Sequence, residues 1–276
     1  MDNQFTKFIR TDELTFKYAK GMRDIIGKEI HPYHEIFFYI NGNAEFISEL
    51  GTEKLLPHTI VIIPKETFHC FINHGDEKDY IRCVFNFENV TELETLISKK
   101  LNKISLIRNA EIADLFLKLT DITDSQMPDY EKNIYMKSLF MQLLLYINED
   151  GNLPNSSIST TTQKVIEYVR NNIDKRLTVD ILANELHISQ SHLAHTFKKE
   201  LHISIHKYIS ELRLTIANKK IRNSVPPTRA AVECGFNDYS GFYKQYKKMF
   251  GISPGDVKNS IMIKSDNLFH ISQQKS

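Results

Sequence analysis

The run Phe197-Lys198-Lys199-Glu200-Leu201-His202-Ile203-Ser204 returns as Tyr246-Lys247-Lys248-Met249-Phe250-Gly251-Ile252-Ser253. Leu193 and Phe242 each stand four residues ahead of their copy, which on a helix brings both apolar side chains onto one face. A repeat spaced by about fifty residues is one supersecondary unit used twice. Each copy closes a short amphipathic helix that follows a tight turn, so the unit reads as a helix-turn-helix. Two such units in one chain suit two neighbouring turns of DNA.

The first unit meets the requirements of that motif residue by residue. Ala183 is the small residue where two helices touch, Ile188 the apolar residue of the turn, Ser189 the cap, and Leu193 and Phe197 the inward positions. The outer surface then carries Ser189, Gln190, Ser191, His192, His195, Lys198 and Lys199, with the early residues placed for base edges and the lysines for phosphates. In the second unit the equivalent surface is Asp238, Tyr239, Ser240, Tyr243, Lys244, Lys247 and Lys248, with Phe236, Phe242 and Tyr246 turned inward. A helix from Ser204 to Arg222 would span roughly 30 Å between the units, close to one turn of B-DNA.

Charge supports a polyanion partner for this half alone. The net charge of +1 conceals 18 Lys/Arg against 10 Asp/Glu after Thr162 and 17 against 24 before it. At 276 residues the chain suits two domains. The segment 149–162, Glu-Asp-Gly-Asn-Leu-Pro-Asn-Ser-Ser-Ile-Ser-Thr-Thr-Thr, reads as the linker between a domain at 1–148 and another at 163–260, leaving a tail at 261–276. No apolar run is long enough to cross a bilayer and Met-Asp-Asn-Gln is no signal peptide, so a cytoplasmic protein without membrane contact is expected. Cys70, Cys83 and Cys234 are odd in number and lack CxxC spacing, which points to reduced, packed thiols.

Before the linker, short β-branched and aromatic runs at Glu35–Ile40, Ile60–Ile63, Phe68–Ile72 and Tyr80–Phe87 are divided by turn residues, as in a small sandwich or barrel. From Ile112 onward the apolar period becomes helical, through Leu115, Phe116 and Leu119 and then Met136, Leu139, Phe140, Leu143, Leu144 and Ile147. The face of Phe140, Leu143, Leu144 and Ile147 fits either the domain core or a homodimer seam through helices in 111–148.

Cys234-Gly235-Phe236-Asn237-Asp238-Tyr239-Ser240 and Phe250-Gly251-Ile252-Ser253-Pro254 resemble the DNA-binding domain of the AraC/XylS family of bacterial transcription regulators, over about Gln163 to Lys258. Family members usually carry Arg at the positions of His195 and Lys244, and isoleucines where this chain has Pro227 and Ala230. The resemblance therefore implies altered base preference and a helix that starts late and packs loosely. Upstream, His31-Pro32-Tyr33-His34-Glu35, Gly42, Ile62-Ile63-Pro64 and His69 resemble the family's cupin-like sensor, which in relatives binds a small effector such as a sugar. Leu56-Pro57-His58-Thr59 departs from the usual Pro-Gly-Asp turn.

The resemblance implies an α+β architecture: a cupin-like β-sandwich or barrel with appended helices, then an all-α double helix-turn-helix domain. It also implies a ligand-responsive activator with an effector pocket at Glu29, His31, Tyr33, Glu35, Phe37 and His69, where Tyr33, Phe37 and Phe71 could stack on a sugar ring. RNA polymerase is an implied partner. Metal-binding cupins place two histidines, a glutamate and a later histidine here; Glu29 replaces the first histidine, and neither metal nor cofactor is expected. No Gly-x-Ser-x-Gly, phosphate-cradling glycine loop or His-Glu-x-x-His occurs, so no enzyme is expected. The rival readings are a metal-dependent cupin enzyme with an appended DNA domain and a ligand-independent architectural DNA binder.

Overall fold

A computed structural model describes residues 5–21, 25–88, 90, 93–147 and 158–257. The chain divides into two compact units, the first ending at Ile158 and the second starting at Ser159.

The first unit holds two antiparallel sheets. In the six-stranded sheet the order is β1 (Phe5–Arg10), β2 (Leu14–Lys20), β9 (Ile81–Phe87), β4 (His34–Asn41), β7 (Thr59–Ile63), β10 (Ser105–Ile107); in the four-stranded sheet it is β3 (Ile25–Glu29), β8 (His69–Asn73), β5 (Ala44–Ser48), β6 (Gly51–Leu55). Strands β4 and β7 read as unbroken apolar runs because both faces are buried. Ile36, Phe38, Ile60 and Ile62 point into a core shared with the helices, while Phe37, Tyr39, Val61 and Ile63 join a second core with Phe46 and Phe71 of the smaller sheet. Alternation with period two sends neighbours in each strand to opposite cores.

Helices α1 (Glu94–Lys100), α2 (Ala110–Asp124) and α3 (Asp129–Tyr146) follow. Phe116 of α2 and Phe140 of α3 pack on Phe85, with ring centroids 5.4 and 5.2 Å away. Each such ring contributes about 1.5–3 kcal/mol on burial. Phe140, Leu143, Leu144 and Ile147 are all 0% exposed in this core. The face considered for a dimer seam is therefore packed within the unit, and the apolar residues α3 leaves exposed are others: Tyr130, Ile134, Tyr135, Met141, Leu145 and Tyr146.

Six strands went unread in the sequence: β1, β2, β3, β5, β6 and β10. Strands β5 (Ala-Glu-Phe-Ile-Ser) and β6 (Gly-Thr-Glu-Lys-Leu) lack a clean period-two pattern and flank Glu49-Leu50, a tight hairpin whose register pairs Ser48 with Gly51. Turn 56–59 keeps its tightness without glycine: His58 takes φ 65° and Thr59 donates to the Leu56 carbonyl through both N and Oγ1.

The second unit is helical: α4 (Thr160–Asn171), α5 (Val179–Glu185), α6 (Gln190–Leu201), α7 (Ile205–Arg222), α8 (Pro227–Glu233) and α9 (Tyr239–Phe250). Helix α4 begins inside the expected linker 149–162, because Ser159 caps it, Thr162 is buried, and Glu200 accepts from Ser159 N and Oγ. Linker residues up to 157 and the tail 261–276 lie outside the described residues. Helix α8 does not start late either. Pro227 is its first residue, where a fixed φ suits the helix and the missing N–H costs nothing, and Ala230 and Ala231 are buried against the Phe242 core.

Candidate nucleic-acid interface and sensor site

In the first helix-turn-helix, Thr178 caps α5 and Ser189 caps α6, each hydroxyl accepting from the N–H three residues on. His187 sits at φ 56° and the Ile188 N–H returns to the Ala183 carbonyl at 3.0 Å, which closes the turn. Leu193 and Phe197 are fully buried, Phe197 meeting Tyr208 of α7 edge-on at 5.5 Å. With those two turned in, Gln190, Ser191, His192, His195, Lys198 and Lys199 are all exposed along α6. Gln190 is held: its Nε2 donates to Asp180 Oδ1 at 2.7 Å, a contact between the two helices of the motif.

The second unit repeats this plan. Phe236 N returns to the Ala231 carbonyl at 3.0 Å, Gly235 takes φ 76°, and Phe242 and Tyr246 are fully buried. Tyr239, Ser240, Tyr243, Lys244, Lys247 and Lys248 are exposed along α9, and Phe236 is half-buried against Phe242. Asp238 differs from its expected reading role, since its carboxylate accepts from Gly241 N at 2.6 Å and closes the start of α9. Ser189 likewise commits its hydroxyl to the α6 terminus.

Two features of this unit carried no readable signal. Arg213 of α7 donates to the carbonyls of Ile173 and Lys175, tying α7 to the segment after α4. Tyr246 donates to buried Asn218, a polar pair inside an otherwise apolar core.

In the first unit, β4, β8 and the segment joining β3 to β4 bring together three of the expected pocket residues. His31 and His69 rings meet edge-on at 4.8 Å, His31 Nε2 lies 3.4 Å from Glu35 Oε2, and all three residues are buried. Glu29 pairs with His69 in the β3–β8 register and is half-buried. Burial depresses the His31 pKa and pushes that of His69 down to about 4, which favours the neutral form of both rings. Burial raises that of Glu35, against the pull of His69, Arg82 and Lys17.

The tautomers follow from the partners. His31 Nδ1 lies 2.8 Å from the Tyr33 carbonyl and His69 Nδ1 3.2 Å from that of Thr67, and a carbonyl only accepts, so both Nδ1 atoms carry the proton. Each Nε2 therefore presents a lone pair. That of His31 has no hydrogen-bond partner and faces a carboxylate oxygen, an arrangement that needs a proton or a cation between the two. The ligand atoms of His31, Glu35 and His69 lie within 4.8 Å of one another and fit a divalent ion, with both imidazoles oriented by backbone carbonyls.

The aromatic residues behave differently from expectation. Tyr33 stacks on His31 at 3.9 Å, and Phe37 stacks on Phe71 at 4.0 Å while only 2% exposed. Their faces are taken by each other, so Phe37 and Phe71 are core rather than a platform for a sugar ring. No helix among the described residues is long and apolar enough to cross a membrane.

Residues 182–260 match the helix-turn-helix domain family of AraC type. The transcriptional activator RhaS of Mannheimia succiniciproducens is 22% identical over 248 residues, covering 87% of this chain and 91% of its own. The Msm operon regulatory protein of Streptococcus mutans is 28% identical over 243 residues, covering 85% of this chain and 87% of its own. Among solved structures, ToxT of Vibrio cholerae aligns with 95% of this chain and 98% of its own at 14% identity; its TM-score of 0.42 is too low to bear on arrangement or function. The matched segment runs from within α5 through α9, and these two relatives align over most of their own length. Residues 182–260 form an AraC-type helix-turn-helix domain, and the chain is similar over most of its length to transcriptional regulators that carry one.

Proposed function

We propose that this regulator is a sequence-specific activator whose DNA binding responds to a small polar effector held in the first unit. The observation that carries the reading is the pairing of two like helix-turn-helix units, each with one buried face and one face of exposed polar and basic residues. Gln190, Ser191, His192 and His195 on α6, with Tyr239, Ser240, Tyr243 and Lys244 on α9, are placed to meet bases, and Lys198, Lys199, Lys247 and Lys248 to meet phosphates. Helix α7, 18 residues and so about 27 Å long, suits a spacing of one DNA turn.

Effector recognition falls to His31, Glu35 and His69, with Glu29 and Tyr33 at the margin. The effector shifts the population between forms with different affinity for paired DNA sites or for RNA polymerase. A homodimer through α3 uses Tyr130, Ile134, Met141 and Leu145, which lie on one helical face and are between 48% and 67% exposed.

Footprinting on the DNA beside the protein's own gene, with and without a panel of sugars and organic acids, tests the reading. The expected result is a protected pair of sites about one turn apart whose occupancy changes with one ligand and no longer changes in His31→Ala. Protection that is uniform along the DNA, or indifferent to every ligand, overturns it.

A further inference from the structure

The inward face of β4 presents Glu35, Phe37 and Tyr39, and the register sets these against Asn86, Val84 and Arg82 of β9. Arg82 is 2% exposed. Among the described residues, Nη1 and Nη2 of Arg82 and the hydroxyl of Tyr80 are buried without a hydrogen-bond partner, and the Tyr39 hydroxyl, near the Ala44 backbone, is buried beside them. The three groups are contiguous. The Arg82 guanidinium carbon lies 5.3 Å from the Tyr80 ring centroid, and the two phenol rings are 5.6 Å apart.

Removing a guanidinium from water without a hydrogen-bonded counter-charge costs more than a cation–π contact returns. Glu35 supplies favourable field at a distance, but its carboxylate faces His31 and, in the amide orientation that satisfies both neighbours, accepts from Asn86 at 3.3 Å. The stacked pair Phe37 and Phe71 occupies the inward face between Glu35 and Tyr39. The inward face of β4 thus carries polar groups at both ends with one aromatic pair between them. At the Arg82 end the unmet groups are guanidinium donors and the Tyr80 hydroxyl, which can donate, and the complement of a donor fork is a group with two acceptor oxygens.

Room for the phenols is built into the adjoining turn. Gly42 takes φ +133°, and a Cβ there would stand 2.9 Å from the Tyr39 hydroxyl and 3.2 Å from Tyr80 Cα.

We infer that Arg82, Tyr39 and Tyr80 form an oxyanion-binding subsite in the sensor unit, so that the effector carries a carboxylate or phosphate and is not a neutral sugar. This rests on the reading of the first unit as an effector sensor. A neutral hydroxylated ligand would fill the His31 end and leave the guanidinium unpaired; an acid engages both Nη atoms as a bidentate pair.

The test is thermal unfolding of the full chain in sodium formate and in inorganic phosphate, each against sodium chloride at equal ionic strength, for the wild type and Arg82→Met. Phosphate stabilises proteins non-specifically, so the readout is the difference between the two proteins. Formate or phosphate should raise the wild-type midpoint more than that of Arg82→Met, and which of them does so separates carboxylate from phosphate. Loss of the fork should weaken anion affinity about 100-fold, the equivalent of two charge-assisted hydrogen bonds. In chloride alone Arg82→Met should unfold at the same or a higher temperature, since it removes a buried unpaired charge. Tyr80→Phe should keep the fold and weaken the anion about fivefold. Equal anion shifts in wild type and Arg82→Met, or an Arg82→Met protein that unfolds earlier in chloride, overturn the inference. Because the readout involves no DNA, it can fail while ligand-dependent footprinting succeeds, and the reverse.

Discussion

The two helix-turn-helix units solve one geometric problem with different residues. Both turns need a residue in the left-handed region, and the first uses His187 where the second uses Gly235; both helices end left-handed, on His202 in the first and Gly251 in the second. The first unit thus carries two side chains at positions costing about 1 kcal/mol or more each for a residue with a Cβ. The second avoids that cost and gains contacts. Gly235 lets the Ile173 carbonyl and Arg213 approach to within 2.8 and 2.7 Å of where a Cβ would be. Glu233 is paired with both Lys220 and Arg229, and Tyr246 with Asn218. Similarity in sequence therefore hides a difference in tolerance: the first unit is strained at its turn and at its helix end, the second relaxed there and bolted to α7 and to the segment after α4 by polar contacts.

The sharpest break of that comparison is a glycine exchange in each turn. Gly235→Ala should destabilise by about 3 kcal/mol, from left-handed strain plus overpacking, whereas His187→Gly should stabilise by up to about 1 kcal/mol. Denaturant unfolding of the full chain reads both, and effects of the same sign would show that the turns are equivalent after all. Next in size, Tyr246→Phe should cost about 2 kcal/mol by leaving buried Asn218 unpaired, and adding Asn218→Leu should recover most of it in a double-mutant cycle. No recovery would mean that the pair is not a closed unit.

The caps should be alike. Ser189→Ala and Asp238→Ala should each cost about 1 kcal/mol, and a much larger loss at Asp238 would add a role for that carboxylate beyond α9. Smallest and most symmetrical is the electrostatic effect: Lys198→Ala and Lys247→Ala should each reduce the slope of log affinity against log salt by about 1. A change at only one of them would assign phosphate contact to one unit.

Much of the reader was legible because its determinants are local. Ser189, Leu193 and Phe197 recur at helical spacing as Asp238, Phe242 and Tyr246, and burial of the last two of each set forces the remaining residues outward. Arg213 and Asn218 gave no such signal, since their partners lie 40 and 28 residues away. In the sensor, His31, Glu35 and His69 were visible as a spaced set, and the structure brings them within reach of one ion or one ligand. Arg82 was passed over although a charged residue on the inward side of an alternating strand is itself a warning. Its meaning depends on Tyr39 and Tyr80, and strand pairing alone makes the three adjacent.

By itself the sequence determined the duplicated helix-turn-helix, its caps and exposed faces, and the change from strand to helix period along the first unit. These follow from interactions within a few residues, where backbone geometry fixes which side chains share a face. Only the tertiary structure decided that Phe140, Leu143 and Leu144 are core while Ile134, Met141 and Leu145 stay exposed. It alone showed that Phe37 is stacked out of reach and that Nη1 and Nη2 of Arg82 are buried with no hydrogen-bond partner among the described residues. Burial and polar satisfaction depend on what chain folding brings from far along the sequence, and no local pattern encodes that.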